Sequence, residues 1–197
     1  MVLLNRIYTR AGDGGRTRLV NGAQVSKASA RVSAYGEVDE LNAVLGLVRL
    51  ETAGDETLDP LLARIQNDLF DLGADLATPP TEAPALRVVA AQVERLEREI
   101  DALNQDLASL TSFVLPGGSR ASAGLHLART VCRRAERAAA AFVESDAAAF
   151  VESDAAGEAH GEALRYLNRL SDLFFVAARH ANRRGADDVL WAPAANR

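Results

Sequence analysis

Two groups of side chains in this sequence have the types and spacing to bind an anion. The first is Arg10-Ala11-Gly12-Asp13-Gly14-Gly15-Arg16-Thr17, with three glycines in four positions. Glycine lets a backbone approach a ligand closely, and successive amide N–H groups can cradle phosphate oxygens. Thr9 and Thr17 add hydroxyls, and Arg10, Arg16, Arg18 and Lys27 add positive charge. The pattern is not Gly-x-x-x-x-Gly-Lys-Ser/Thr. It is not a dinucleotide fingerprint either, because no βαβ pattern surrounds it. The same composition also describes a plain surface loop, so both readings stand.

The second group is Arg129, Arg133, Glu136 and Arg137. Offsets of 4, 7 and 8 place them within an arc of roughly 100° on a helix of 3.6 residues per turn. Val131, Ala135, Ala138 and Phe142 take the opposite side. Arginine grips phosphate oxygens with a two-pronged fork and keeps its charge at neutral pH. Such a strip suits a polyphosphate, and it equally suits a solvated face of Arg–Glu pairs. Weaker candidates are Asp39, in the acidic run Glu37 to Glu40, and Asn168, on a polar side with Arg165, Asp172 and Arg179. Asp39 reads as a partner for an arginine of another helix or as one more solvated carboxylate. Asn168 has the donor and acceptor to meet a base or ribose.

Other chemistries lack their residues. No Glu-x-x-His pair is present, which disfavours a di-iron bundle, and Glu158-Ala159-His160 has the wrong spacing. His126, His160 and His180 are scattered. Cys132 lies among apolar helix positions, which suits an inert thiol better than a nucleophile. As the sole cysteine it forms no internal disulfide, so a reducing, cytoplasmic setting is expected. Residues 1–10 resemble neither a secretory signal nor a transit peptide. No apolar run approaches the ~20 residues that span a bilayer, so no membrane role is expected. With 22 basic and 27 acidic residues the net charge is −5, which argues against a nucleic-acid partner.

These groups need a frame, and the 197 residues suit a single domain. Aromatics are 5% and alanine is abundant, which favours helices. Residues 1 to about 22 read as loop. A helix capped by Ser26 is expected from Val25, with Val32, Tyr35, Val38, Leu41, Leu45 and Val48 at helical spacing, ending near Gly54. Asp59-Pro60 reads as the cap and first turn of a second helix carrying Leu62, Ile65, Leu69, Leu72 and Leu76. Pro79, Pro80 and Pro84 break the chain. A third helix shows a seam of Val89, Val93, Leu96, Ile100, Leu103 and Leu107. Ser119 caps a fourth, and a fifth runs from about Gly161 to Arg184, closed by Gly185. The tail Val189 to Pro193 is apolar enough to dock. The fold class is therefore all-α, a five-helix bundle with an irregular Gly-rich N-terminal loop. Ala139 to Asp146 is repeated without change as 147–154. Two copies are too few for a solenoid, so this reads as a local duplication lengthening helix four or its loop.

Five blocks, taken together and in order, resemble the PduO-type ATP:cob(I)alamin adenosyltransferases. They are Tyr8 to Thr17, Tyr35 to Asn42 with Gly46, Phe113 to Gly118, Ala128 to Arg137, and Tyr166 to Asp172 with Phe174, Ala178 and Arg179. The resemblance implies transfer of the 5′-deoxyadenosyl group of ATP to cob(I)alamin, giving adenosylcobalamin and triphosphate. It divides the domain into an ATP-binding loop (1–24), a helical bundle (25–188) and a tail (189–197).

It further implies a homotrimer with sites at subunit boundaries. Thr9, Arg10, Ala11, Gly12, Thr17, Arg18 and Lys27 would hold the phosphates. Arg133, Arg134, Glu136, Arg137 and Asn168 would complete the nucleotide site. Asp39 would pair with Arg129 of a neighbour, Phe113 would sit beneath the corrin and displace its lower ligand, and Mg²⁺ would accompany the triphosphate. A cob(II)alamin reductase and an adenosylcobalamin-dependent enzyme are the partners implied. Cob(I)alamin is itself the nucleophile, so the protein needs no general base; it aligns the reactants and stabilises the leaving charge. A non-catalytic carrier of ATP or adenosylcobalamin is the alternative. A third reading, a scaffold binding an acidic partner, has no need of the glycine loop. Arg10 departs from the lysine common in the family.

Overall fold

The computed structural model describes residues 7–80, 84–149, 160–195 and 197. Among the described residues five helices carry the structure: α1 (Ala30–Thr52), α2 (Leu58–Ala77), α3 (Ala90–Asn104), α4 (Arg120–Ala149) and α5 (Gly161–Ala181). Helix α1 packs on α2 and α4, α4 packs on α5, and α5 packs on α3. Their apolar stripes meet in one core, with Leu41, Leu45, Leu62, Ile65, Leu96 and Phe174 fully buried. The expected all-α bundle is present, with one small sheet added to it.

That sheet corrects the expected loop. Strands β1 (Arg16–Arg18) and β2 (Gln24–Ser26) pair antiparallel, Thr17 opposite Val25. Gly22, at φ +84°, turns the chain between them, and Leu19 N donates to Ala23 O at 2.9 Å. The ladder also moves the helix start. Ser26 is held extended opposite Arg16, so it cannot cap a helix at Val25. Its hydroxyl instead accepts from Ala28 N in a tight turn. Ser29 is the cap, accepting from Val32 N.

Other ends shift for similar local reasons. The Asp55 carboxylate accepts from Thr57 N and Leu58 N and so starts α2, while Asp59 lies inside the first turn and grips Arg49 with both oxygens. Ser119 caps α4 as expected, accepting from Ser122 N at 3.1 Å. Helix α5 stops at Ala181 and not at Arg184: Arg183 and Arg184 are left-handed, and Gly185, at φ +81°, completes the turn by donating to Arg179 O. The first copy of the duplicated octapeptide lies within α4. The second begins there, and its remainder falls outside the described residues.

A buried polar knot fixes the end of the bundle next to the hairpin. Asp75 accepts from Arg87 at 2.7 Å and from Val88 N at 2.8 Å, and it meets His160 Nδ1 at 2.9 Å. Burial pushes the Asp75 carboxyl up, but the bonds from His160, Arg87 and Val88 outweigh it and hold the group below the ordinary carboxylate value. Arg31, from the start of α1, donates to Leu76 O at 2.9 Å and lies 4.3 Å over the Phe142 ring. The end of α2, the start of α1, the late part of α4 and the start of α5 therefore share one level.

Candidate active site

The N-terminal hairpin builds an open hollow of about 530 Å³ lined by Thr9, Ala11, Gly12, Arg16, Thr17, Arg18 and Gln24. At Gly12 the loop approaches the end of the Lys27 side chain closely. A Cβ there would lie 2.9 Å from Lys27 Nζ, so the ammonium sits directly over the glycine. Lys27 N donates to Gly15 O at 2.9 Å, which folds the loop back onto β2. Arg10, left-handed at φ 61°, lies outside the hollow's lining with its guanidinium 5.9 Å from the Tyr8 ring. Arg16, one of the loop's expected cations, lines the hollow, and Gln24 is a lining residue that the sequence did not single out. Arg16 Nη2 donates to Gln24 O at 3.0 Å, a cross-strand bond that only the pairing reveals.

The helical half of the site lies on α4 and α5. Val131, Ala135 and Phe142 are buried, and Arg133 and Arg137 are exposed. Among the described residues, neither Arg129 nor Arg133 has a carboxylate partner. Arg129 Nε is buried without any hydrogen bond. Burial, then the charge of Arg133, pulls the Arg129 guanidinium below the ordinary arginine value. An unsatisfied buried donor beside a second cation has the chemistry to take an anion. Asn168 Nδ2 donates to Glu136 Oε1 at 3.0 Å, joining α5 to the stripe.

Arg134 does not join it. Its guanidinium turns to α1, 2.5 Å from Glu37 and also paired with Glu40. The hydrogen bonds it donates to those two carboxylates push it above the ordinary arginine value. Arg179 is also not on a solvated side: it is buried and paired with Asp188. Cys132 is fully buried, its thiol pushed up chiefly by burial, with Sγ donating to Leu167 O at 3.3 Å.

Phe113 is 77% exposed on the segment before α4. The tail docks against it, as Trp191 N donates to Phe113 O at 2.7 Å and Val114 bridges Leu190. The turn into α4 needs Gly118, at φ +90°, where a Cβ would fall 2.3 Å from Asn182 Oδ1. That same oxygen accepts from Ser119 N at 3.0 Å.

The hairpin hollow and the arginine stripe stand apart within one chain. Val20 and Asn21 of the hairpin share a hollow with Ala74, Thr78 and Pro79 at the end of α2, the level of Phe142. Arg129 lies earlier on α4, about 20 Å along the axis from Phe142 at 1.5 Å per residue. Asp39 is exposed on α1 beside a smaller hollow lined by Tyr35, Asn42, Phe70 and Gly73, and it makes no ion pair among the described residues.

The family model described as "Cobalamin adenosyltransferase" matches residues 7–181. The chain belongs to the cobalamin adenosyltransferase family. A corrinoid adenosyltransferase of Mycobacterium tuberculosis is 47% identical over 204 residues, spanning 100% of this chain and 97% of the relative. Two solved structures are of PduO-type ATP:corrinoid adenosyltransferase variants from Lactobacillus reuteri. A phenylalanine-to-histidine variant complexed with cobalamin and ATP has a TM-score of 0.81 at 36% identity, covering 95% of this chain and 97% of that one. An arginine-to-lysine variant complexed with ATP has a TM-score of 0.77 at 38% identity, covering 94% and 100%. The adenosyltransferase fold thus extends over the hairpin, the arginine stripe and the Phe113 segment alike.

Proposed function

We propose that this chain transfers the 5′-deoxyadenosyl group of ATP to cob(I)alamin, forming a cobalt–carbon bond and releasing triphosphate. One observation carries the reading: among the described residues Arg129 and Arg133 form a cationic pair without a carboxylate partner, and the Arg129 Nε is buried and unsatisfied. A scaffold strip would be neutralised by its own glutamates, as Arg134 is.

In this reading the hairpin hollow receives the phosphates, with Lys27 over Gly12 and the Thr9 and Thr17 hydroxyls at its wall. Arg129, Arg133 and Arg137 stabilise the charge that grows on the leaving triphosphate. Glu136 and Asn168 orient the nucleoside. Phe113 presents an apolar face to the corrin, disfavouring a lower axial ligand. The hydroxyls of Thr9 and Thr17 are hard oxygen donors and fit Mg²⁺, which binds mainly through substrate phosphates. Arg134 is assigned to holding α1 on α4.

The separation of hairpin and stripe supports a site shared between copies, the hairpin of one chain meeting α4 of the next. Unpaired Asp39 is then available to a neighbour's Arg129, and a homotrimer is the assembly proposed. Among the described residues no helix is long and apolar enough to cross a membrane. A cytoplasmic location, with a reductase supplying cob(I)alamin and a cofactor-dependent enzyme taking the product, completes the proposal.

The test is anaerobic incubation with ATP, Mg²⁺ and chemically reduced cob(I)alamin, followed by the corrinoid spectrum. Conversion to adenosylcobalamin with one triphosphate per turnover is expected. Tight adenosylcobalamin binding without conversion would instead make the chain a carrier.

A further inference from the structure

Phe113 and Trp191 face each other across a short antiparallel ribbon. Val114 bridges Leu190, so Phe113 stands opposite Trp191 and Leu115 opposite Val189. Two ladder bonds close it, Trp191 N to Phe113 O at 2.7 Å and Leu115 N to Val189 O at 2.8 Å, and Ser112 Oγ donates to Trp191 O at 2.7 Å. Side chains alternate across a strand, so Phe113, Leu115, Val189 and Trp191 share one face. All four are exposed. The Phe113 and Trp191 ring centroids lie 6.1 Å apart with planes tilted by 50°.

Both sides of the ribbon are rooted in the end of α5. Asp188 is buried against Arg179, whose Nη2 also donates to Ala108 O at 2.9 Å, and Asn182 Nδ2 donates to Asp188 at 3.0 Å. The tail is therefore fixed where it meets Phe113. On its other side the Phe113 ring is open, and an exposed phenylalanine on a connecting segment has several rotamers available. Trp191 removes those that swing toward the tail.

We infer that Trp191 is a positioning residue for the corrin step: it holds the Phe113 ring at the angle from which it excludes the lower axial ligand of cobalamin. This rests on the proposed role of Phe113. Trp191 acts through Phe113, and an aromatic cross-strand pair biases its orientation by about two- to tenfold.

The experiment loads the full-length protein with ATP and cob(II)alamin and reads the four-coordinate fraction by electron paramagnetic resonance, in which the lower nitrogen's splitting disappears when that ligand leaves. Trp191→Ala is expected to lower the four-coordinate fraction about two- to tenfold. Trp191→Phe should restore it to within about twofold. ATP affinity and the melting temperature should be unchanged in both, since Trp191 lies outside the core. An unchanged fraction in Trp191→Ala, with loss in Phe113→Ala, would overturn the Trp191 assignment and leave the Phe113 reading standing. An unchanged fraction in Phe113→Ala would overturn both. A fall in Trp191→Ala that Trp191→Phe fails to restore would also overturn ring positioning.

Discussion

Arg179 and Asp188 form an almost wholly buried ion pair, Nε to Oδ2 at 2.8 Å, with side chains 7% and 4% exposed. The pair joins the last turn of α5 to the root of the tail. Asp188 also accepts from Asn182, and Arg179 also donates to Ala108 O, so the charges have additional partners. Removing one member of such a pair leaves an uncompensated buried charge, which costs about 3–5 kcal/mol. Asp188→Ala is expected to lose stability in that range by urea unfolding. It should also speed hydrogen exchange at the Trp191 amide, because the ladder to Phe113 loses its anchor. A loss below about 1 kcal/mol would contradict the buried-pair account.

The helices were legible because α1 to α5 each carry several apolar residues at helical spacing, and the stripe from Arg129 to Arg137 follows the same period. The hairpin was not legible. Strands of three residues, Arg16–Arg18 and Gln24–Ser26, are too short for alternation to register. Once they pair, the cap passes from Ser26 to Ser29. Arg179 and Arg134 show a second limit. Both occupy polar helix positions, yet their partners Asp188, Glu37 and Glu40 lie on other segments, so only the fold tells a paired arginine from a free one. Phe113 was visible as a residue, but the pairing with Trp191 depends on a long-range bridge that no local pattern announces.

His126 gives stability an acid dependence. It is buried on α4, one turn before Arg129, with Nδ1 unpartnered and Phe175 edge-on at 6.2 Å. Burial, then the charge of Arg129, pulls its pKa below the usual histidine value, and Asp188 opposes this only in part. The folded state therefore favours neutral imidazole. Below the unfolded pKa of about 6.5 the unfolded chain takes up the proton more readily. Stability is fully present above that pH and is lost as pH falls through the folded value. Urea midpoints at pH 7.5 and 5.5 should show a drop in the native protein and a smaller drop in His126→Gln.

Gly12 separates nucleotide binding from folding. An added Cβ would meet only the far end of a flexible side chain, Lys27 Nζ at 2.9 Å and Cε at 3.2 Å. Lys27 can swing away, so Gly12→Ala is expected to keep stability within about 0.5 kcal/mol. The displaced ammonium no longer overhangs the hollow. The KM for ATP should rise several-fold with kcat for corrinoid adenosylation less affected. An unchanged KM would remove Lys27 from the phosphate site.

Arg133 and Arg134 are sequence neighbours in unlike surroundings, and their alanine variants should part company. Arg133 is exposed with no carboxylate partner among the described residues, and its charge bears on Arg129. Its value lies in the charge that develops on the leaving triphosphate, so Arg133→Ala should lower kcat about 10²- to 10³-fold. Folding should change by no more than about 0.5 kcal/mol, as for other exposed sites. Arg134 is committed to Glu37 and Glu40 across the α1–α4 contact. Arg134→Ala should therefore lower the unfolding midpoint while kcat and the KM for ATP stay within a few-fold of the native values. Steady-state kinetics beside urea melts of both variants decides it. Equal losses of turnover would mean that Arg134 leaves its glutamates for the nucleotide in the assembled enzyme.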